Sequence, residues 1–251
     1  MTPISAVIIT FNEEQNLERC LTSLKEIADE IIIVDSFSTD NTQNIAQQFG
    51  CTVHQQKWLG YSQQKNLANN LASNEYIFSI DADESLSPQL AASILKAKKN
   101  GLAGVYELKR LTNYCGAWIK HSGWYPDKKI RLFPKSTTKW EGEFVHETLS
   151  FEIESDPILL KGDLFHFSYS SADEHKERAF TYSKLRAEEL YKKGKNVSQF
   201  KPYLSALGKF ISMFIINLGF LDGVAGIKIA WISSAASIKK YKHLLSLTRS
   251  S

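Results

Sequence analysis

Four short runs typical of strands, separated by helical patterns, limit the folds open to this chain. The runs cover residues 6–10, 31–34, 51–54 and 76–80. Apolar residues at helical spacing lie between them, such as Leu17, Leu21 and Leu24 after the first run. Strands that alternate with helices in this way predict an α/β fold with a doubly wound, mostly parallel sheet. The apolar share of the sequence, 43%, is enough for the core of such a fold.

Polar residues stand at the carboxyl ends of three of these predicted strands. They are Thr10, Asp35 and Asp81. Ligands of open α/β sheets bind at this edge, so we expect the three side chains to share one site. Helix capping accounts for the polar residues that follow Asp35, and Asn12 is predicted to cap the first helix, but capping does not account for Asp35 itself.

Asp81-Ala82-Asp83 follows the fourth strand directly. Two carboxylates at this spacing past a strand end can face one cavity. Carboxylate oxygens are ligands that Mg²⁺ and Mn²⁺ accept, together with phosphate oxygens and water. The sequence therefore predicts that Asp81 and Asp83 hold Mg²⁺ or Mn²⁺ and neutralise a diphosphate leaving group.

Charge is distributed unevenly along the chain. Residues 192–251 contain ten Lys and Arg and one acidic residue, Asp222, a balance of +9. Because the whole chain carries +3, the first 191 residues carry −6. An acidic body does not suit a nucleic-acid partner, whereas a basic, apolar C-terminal segment suits an anionic membrane surface.

The cysteines and the first residues indicate a compartment. Cys20, Cys51 and Cys115 form neither a disulfide framework nor a metal-type pair, which favours a reducing environment. No basic region followed by an apolar run opens the sequence, so we expect no secretory signal. Together with the basic segment, this predicts a cytoplasmic protein, peripheral on the inner face of the cell membrane.

The apolar stretch of residues 203–221 is interrupted by Lys209. Its uninterrupted part is shorter than the ~20 residues that a spanning helix needs. Helices that lie in the membrane interface fit better, with Lys228, Lys239, Lys240 and Lys242 near lipid phosphates. The alternative is that these helices pack on the catalytic domain or form a dimer.

Three motifs stand in order along the first half of the chain. They are Val7-Ile-Ile-Thr-Phe-Asn-Glu-Glu, Ile33-Val-Asp-Ser-Phe-Ser-Thr-Asp-Asn-Thr and Ile80-Asp-Ala-Asp-Glu. Together they resemble the signatures of family 2 glycosyltransferases, which share the nucleotide-sugar-binding fold called GT-A. The resemblance implies that Asp81 contacts ribose or metal and that Asp83 holds the metal. It also implies a nucleotide pocket lined by Thr10, Asn12, Glu13 and Asp35.

Further segments are similar to one subgroup of that family. They are Trp58-Leu-Gly-Tyr-Ser-Gln-Gln-Lys-Asn, Arg131-Leu-Phe, Val145-His-Glu and Gly219-Phe-Leu-Asp-Gly. The subgroup includes lipopolysaccharide inner-core β-1,4-glucosyltransferases, which implies a UDP-hexose donor, with glucose as the suggested sugar. By this resemblance Lys65 approaches the donor, although a solvated helix charge is the alternative. Arg131 either clamps a phosphate with two hydrogen bonds or faces water on a strand.

An inverting transferase needs one base that removes the proton of the acceptor hydroxyl during attack. Many family members use an Asp in a Glu-Asp pair, and no such pair follows Asp83 here. Glu147 is the predicted base, with Glu141 and Glu143 as rivals. His146 either orients Glu147 or ligates the metal. His166 is the other candidate for a third metal ligand.

The predicted organisation is a GT-A catalytic domain and a helical extension. Residues 1–170 form the catalytic domain, with a nucleotide-sugar-binding half at 1–100 and an acceptor half at 101–170, and residues 171–251 form the basic, membrane-associating extension. Aromatic residues between Tyr114 and Trp140 suit either sugar stacking or packing.

The predicted function is metal-assisted, inverting transfer of a sugar from a nucleotide diphosphate to a lipopolysaccharide-core or other lipid-linked glycan. The alternatives are a sugar nucleotidyltransferase and a non-catalytic, membrane-bound scaffold. A nucleotidyltransferase predicts a Gly-rich phosphate loop after the first strand, where this chain has Phe11-Asn-Glu-Glu. A scaffold predicts the loss of a metal carboxylate, whereas Asp81 and Asp83 are both present.

Overall fold

The computed structural model describes residues 1–142, 147–152 and 156–249, and it separates into two compact units. The first unit comprises Met1–Arg110 and Asp127–His166, and the second comprises Leu111–Pro126 and Phe167–Ser251. The sequence predicts a boundary after residue 170 and assigns residues 111–126 to the catalytic part. These residues instead cluster with the C-terminal part, because Tyr114 and Ile119 pack against Met213 and Ile229.

Strands and helices alternate in the first hundred residues as predicted. The strands are β1 (Ile4–Thr10), β2 (Glu30–Asp35), β3 (Thr52–Gln55), β4 (Tyr76–Ser79), β5 (Glu84–Leu86), β6 (Tyr106–Tyr114), β7 (Ala117–Ile119), β8 (Asp127–Pro134), β9 (Thr138–Glu141), β10 (Thr148–Phe151) and β11 (Ile158–Tyr169). The helices are α1 (Leu17–Leu24), α2 (Thr42–Gln48), α3 (Tyr61–Leu71), α4 (Pro88–Asn100), α5 (Ala172–Lys192), α6 (Lys201–Ile211) and α7 (Gly223–Arg249).

The main sheet has the strand order β3-β2-β1-β4-β8-β6-β11-β5. Strands β3, β2, β1 and β4 are parallel, because α1, α2 and α3 supply the crossovers that parallel neighbours need. Beyond β4 the described pairings of β8 with β4, β6 with β8 and β5 with β11 are antiparallel. The predicted α/β class is confirmed, and the sheet is mixed, with parallel pairs up to β4 and antiparallel pairs beyond it. A separate pair joins β9 and β10.

Helices cover both faces of the parallel part, which explains the continuous apolar runs of the sequence. Side chains of a strand alternate between faces, so Ile4, Ala6 and Ile8 of β1 face one cluster with α1 and α4. Val7 faces the other, with Ala68 of α3. A strand buried on both faces shows no polar alternation, which fits β1, β2 and β4. The edge strand β3 is partly exposed, and residues 51–54 alternate apolar and polar side chains.

The second unit contains a C-terminal helical extension, as predicted, and an aromatic cluster. The buried Tyr114 ring lies edge-on to Trp124, Tyr169 and His175, with centroids 5.3 to 5.9 Å apart. The hydroxyl of Tyr114 lies 3.2 Å from Nδ1 of His175. These aromatic residues therefore pack on one another, which is the second of the two roles that the sequence left open.

One segment of the described residues, Gly219–Thr248, is long and apolar enough to cross a membrane by length and composition alone. About a third of its most apolar window, 33%, is buried inside the protein. Its helical part, α7, contacts both α5 and α6. Length and composition do not separate a core helix of the second unit from a spanning one.

We expect the second unit to lose stability in acid through His175. Burial lowers the pKa of His175 from 6.5 to about 4, so the unfolded chain binds a proton in this range that the folded protein does not. The contribution of this ring to the free energy of unfolding is fully present above the pKa of His175 in the unfolded chain. It falls by about 3 kcal/mol as the pH is lowered to the pKa of His175 in the folded protein. Urea unfolding of the protein and of His175→Gln, at neutral pH and at about pH 4, measures the difference.

The substitution should flatten the pH dependence of the free energy of unfolding, since an amide does not titrate here. His54→Gln, a change in the partly exposed β3, is the matched control and should keep the slope of the parent protein. Parallel slopes for the parent and His175→Gln would contradict the expectation.

Candidate active site

The carboxyl ends of β1 and β2 meet, as predicted, at Thr10 and Asp35. The two residues are paired in register, and Thr10 Oγ1 donates to Asp35 Oδ1 at 2.9 Å. Asp35 Oδ1 also accepts from Ser38 Oγ, while Oδ2 accepts from Ser38 N and Gln43 Nε2. These four donors occupy the four acceptor positions of a carboxylate. Asp35, which has no exposed surface, therefore holds the loop after β2. Its predicted contact with a nucleotide stays a prediction.

The loop after β1 is tied to the loop after β2. Asn12 Oδ1 accepts from Thr39 N at 2.8 Å, and Glu13 N donates to Thr42 Oγ1 at 2.7 Å. Asn12 has a φ of 55°, a left-handed conformation that asparagine tolerates better than most residues. The prediction that Asn12 caps the first helix is wrong, because α1 begins at Leu17. Asn12 and Glu13 nevertheless lie at the edge of the sheet where the predicted nucleotide pocket would be.

Asp81 lies between two buried cations. Lys65 Nζ, on α3, is 3.1 Å from Asp81 Oδ1, and Arg131 Nη2, on β8, donates to Asp81 Oδ2 at 2.5 Å. Burial alone would raise the pKa of Asp81, but the charges of Arg131 and Lys65 outweigh it and hold that pKa far below its usual range. Asp81 is thus ionised at any physiological pH, and Lys65 and Arg131 are both buried rather than solvated.

The two carboxylates of the Asp-x-Asp motif have different neighbours. Asp83 Oδ2 lies 3.2 Å from His166 Nε2, because β5 and β11 pair beside it. A carboxylate facing an imidazole fits Mn²⁺, and the carboxylate fits Mg²⁺, if phosphate oxygens complete the coordination. Among the described residues, no three His, Cys, Asp or Glu side chains gather at metal-binding distance. Both oxygens of Asp81 contact cations, so its prediction as a metal ligand is not supported by this arrangement.

The predicted base belongs to the same cluster. Glu147 Oε1 is 3.1 Å from Lys65 Nζ, so one ammonium group joins Glu147 to Asp81. Its rival Glu141 is exposed at the end of β9, and within the described part of the chain it makes no hydrogen bond or ion pair with this cluster. Glu143 and His146 lie outside the described residues. The geometry therefore brings together Lys65, Asp81, Arg131 and Glu147, at the edge of the parallel strands.

The family of the chain follows from its sequence. Residues 5–150 match Glycosyl transferase family 2. The chain belongs to this family. It is a glycosyltransferase, and this favours the transferase over the nucleotidyltransferase and the scaffold. The matched residues include the whole described cluster around Asp81.

Two curated relatives and one solved structure illustrate the likeness. A glycosyltransferase of Rickettsia typhi is 34% identical over 236 residues, covering 90% of this chain and 81% of the relative. The lipopolysaccharide core biosynthesis glycosyltransferase LpsC of Rhizobium meliloti is 28% identical, covering 95% of this chain and 93% of the relative. TarS of S. aureus aligns with a TM-score of 0.49 and 15% identity, over 89% of this chain and 46% of that one.

Glu84 is the last residue of the Ile80-Asp-Ala-Asp-Glu motif of this glycosyltransferase, and the sequence analysis assigns it no role. Its side chain has no exposed surface. Glu84 Oε1 accepts from Arg131 Nη2 at 2.7 Å and from Arg110 Nη1 at 3.3 Å, and Oε2 accepts from the backbone N of Asp81. Arg110 is held in turn by Asp127. Glu84 begins the three-residue strand β5, Glu-Ser-Leu, and no local pattern in the sequence signals its burial beside two arginines.

We expect Glu84→Gln to destabilise the first unit. The change keeps the shape of the side chain and removes the charge that compensates Arg131 and Arg110. Removing one partner of a buried ion pair costs about 3–5 kcal/mol. Glu75→Gln, at an exposed site, is the control and should change the free energy of unfolding by about 0.5 kcal/mol or less. Urea unfolding measures both, and similar small values for the two variants would show that Glu84 does not stabilise Arg131.

Proposed function

We propose that this glycosyltransferase inverts the configuration of the transferred sugar. It moves a hexose from a nucleotide diphosphate donor, UDP-hexose by resemblance, to a lipopolysaccharide-core or other lipid-linked glycan. The observation that carries the chemical part is the cluster of Lys65, Arg131, Asp81 and Glu147 at the edge of the parallel strands. It supplies fixed cations for a leaving diphosphate and a carboxylate for the acceptor.

The cations suit the leaving group because they are buried and held in place. Donors that are already oriented toward developing charge stabilise a transition state without a cost of reorganisation. Lys65 and Arg131 are each about 4% exposed. Within the described residues, Arg131 Nε and the indole Nε1 of Trp140 are buried without a hydrogen-bond partner. Lys65 Nζ also lies 4.8 Å from the centre of the Trp140 ring. The two unpartnered N–H groups can donate to phosphate oxygens, and Lys65 can do so in place of part of its present contacts.

Glu147 is the proposed base. The acceptor hydroxyl loses its proton to the Glu147 carboxylate as its oxygen forms a bond to the anomeric carbon. The bond from that carbon to the diphosphate oxygen breaks on the opposite face, and the nucleotide diphosphate leaves with the electron pair. A single displacement of this kind inverts the anomeric centre and needs one base rather than a second nucleophile.

Mg²⁺ or Mn²⁺ would be held by Asp83 together with diphosphate oxygens, with His166 beside it. When bound, such an ion neutralises charge on the leaving diphosphate. Asp81 would act through Lys65 and Arg131, which it orients, rather than by coordination.

The acceptor class is supported by the relative LpsC, whose name assigns it to lipopolysaccharide core biosynthesis and which matches this chain almost from end to end. At 28% identity, such a match extends over the catalytic part and the helical extension alike. A lipid-linked acceptor also agrees with the basic balance of residues 192–251. The same balance motivates the predicted place of the protein at the inner face of the cell membrane.

The first prediction concerns the metal. Asp83→Ala should remove donor hydrolysis and transfer, and it should weaken Mn²⁺-dependent binding of UDP in calorimetry, because one carboxylate ligand is lost. Asp156→Ala, at an exposed carboxylate ahead of β11, is the control and should behave as the parent protein. Full transfer in excess chelator, or unchanged Mn²⁺-dependent binding in Asp83→Ala, would overturn the metal assignment.

The second prediction concerns the base. Glu147→Gln keeps the shape of the side chain but does not take up a proton, so transfer should slow by roughly two to four orders of magnitude. Binding of UDP should survive. Glu141→Gln, on the neighbouring strand of the β9–β10 pair, is the matched control with little expected effect. The assignment is wrong if Glu141→Gln slows transfer strongly and Glu147→Gln does not.

A further inference from the structure

The only acidic side chain between residues 192 and 251 is withdrawn from the surface. Asp222 is 3% exposed in its side chain, and its Oδ1 accepts from the backbone N of Lys120 and lies 3.1 Å from His121 Nδ1. Its Oδ2 accepts from Ser122 Oγ at 2.8 Å. The carboxylate therefore holds the loop after β7. Its burial leaves no acidic side chain on the surface of this part of the chain.

Helices α6 and α7 form an antiparallel pair, called here the helical hairpin. Ser205 Oγ lies 2.8 Å from Ser237 Oγ, and further along α6 the chain reaches Met213, which packs with Ile229 nearer the start of α7. The turn between them is tight. A Cβ at Gly226 would lie 1.9 Å from the carbonyl oxygen of Gly219, so glycine permits this close approach. Residues 212–224 form the end of the hairpin and are called the hairpin tip.

The hairpin tip presents large apolar side chains to solvent. Six of them are between 44% and 70% exposed: Ile215, Ile216, Leu218, Phe220, Leu221 and Val224. Single exposed apolar residues are ordinary, but a contiguous group of this kind marks a surface that binds something. The buried neighbours Met213 and Gly219 fix the turn, so the exposure of the six belongs to an ordered structure.

Basic and amphipathic residues lie behind the tip. Lys228 and Trp231 follow Val224 by four and seven residues on α7, so all three share one face of the helix. Their positions are about 6 and 10 Å further along the axis. Trp231 is 70% exposed, and Lys209 is exposed on α6. An apolar end followed by basic residues is the order in which acyl chains and lipid phosphates are met, and an exposed tryptophan is typical of a membrane interface.

We propose that the hairpin tip inserts into the headgroup and upper acyl region of an anionic bilayer, with Lys209 and Lys228 at the level of the lipid phosphates. Charge complementarity selects lipid over a second copy of the chain. Two copies joined by their tips would bring four lysines together with no acidic side chain of this segment to compensate them. This inference concerns the second unit alone and does not depend on the proposed activity.

Insertion of the tip also fits the structure better than a span by α7. The second half of α7 is used inside the unit. Lys239 Nζ lies 3.6 Å from the centre of the Phe180 ring of α5, and His243 Nε2 lies 3.7 Å from Glu188 Oε1. A span that includes the start of α7 would carry Lys228 into the hydrocarbon region, where charged side chains are costly, and insertion of the whole helix would break these contacts.

Sedimentation of the full chain with vesicles tests the proposal. Phosphatidylglycerol-containing vesicles should bind the protein, and neutral phosphatidylcholine vesicles should bind it far less. Ile216→Ser with Leu221→Ser should lower the partition coefficient by about two orders of magnitude, because both side chains would leave the lipid. Lys209→Gln with Lys228→Gln should lower it about 25-fold at low salt and less at high salt.

Matched pairs away from the tip control for surface chemistry in general. Phe200→Ser with Leu204→Ser changes two equally exposed apolar residues near the start of α6, and Lys176→Gln with Lys184→Gln changes two exposed lysines of α5. Both controls should bind vesicles within about threefold of the parent protein. Far-UV circular dichroism establishes that each variant is folded.

Three results would overturn the proposal. One is a parent protein that stays in the supernatant with anionic vesicles at low salt. Another is an equal loss of binding in the tip pair and in the Phe200 and Leu204 pair. A third is a tip-dependent dimer, seen by analytical ultracentrifugation, in a protein that does not bind vesicles.

Topology is tested with an epitope placed after the last residue. Protein added from outside should leave that epitope open to protease on intact vesicles, since only the tip enters the lipid. Protection of the epitope would mean that α7 crosses the bilayer and would replace tip insertion with a span.

Discussion

Pairing of the buried Arg131 with two carboxylates is the interaction on which the candidate active site depends. A guanidinium without counterions costs several kcal/mol when it is buried. Asp81 and Glu84 supply two acceptors at 2.5 and 2.7 Å, both to Nη2. Burial would lower the pKa of Arg131, but these carboxylates raise it well above its usual range, so the charge is permanent. The turn after β4, strand β5 and strand β8 are thereby fixed against one another.

The same pairing determines what the neighbouring groups can do. The other oxygen of Asp81 forms an ion pair with Lys65, and Lys65 forms a second ion pair with Glu147. A change of charge at Glu147 therefore alters the electrostatic environment of Asp81. Oε2 of Glu84 accepts a hydrogen bond from the backbone N of Asp81, which fixes the turn that carries Asp83. In a preorganised site of this kind the charged side chains are desolvated when the protein folds, so they need little reorganisation during the reaction.

The sequence predicts the local parts of this arrangement and misses the long-range ones. Apolar runs and their polar ends place Thr10, Asp35 and Asp81 at one edge, because strand period and connection length are local properties. The ion pair between Asp81 and Arg131 joins residues fifty positions apart, and no sequence spacing predicts it. Glu84 was missed for that reason. The sequence wrongly predicts that Asn12 caps the start of α1. Its side chain instead accepts a hydrogen bond from Thr39, which is distant in sequence.

The short segment from Asp81 to Glu84 divides three tasks among its three acidic residues. Residues two apart point to the same side of an extended segment, so Asp81 and Asp83 could have met the same ligand. The turn after β4 instead aims Asp81 at Lys65 and Arg131 and leaves Asp83 beside His166. Glu84 turns inward and neutralises the arginines. Because the protein already compensates the charges of Asp81 and Glu84 with Lys65, Arg131 and Arg110, Asp83 is the carboxylate of this segment that we propose to hold a cation.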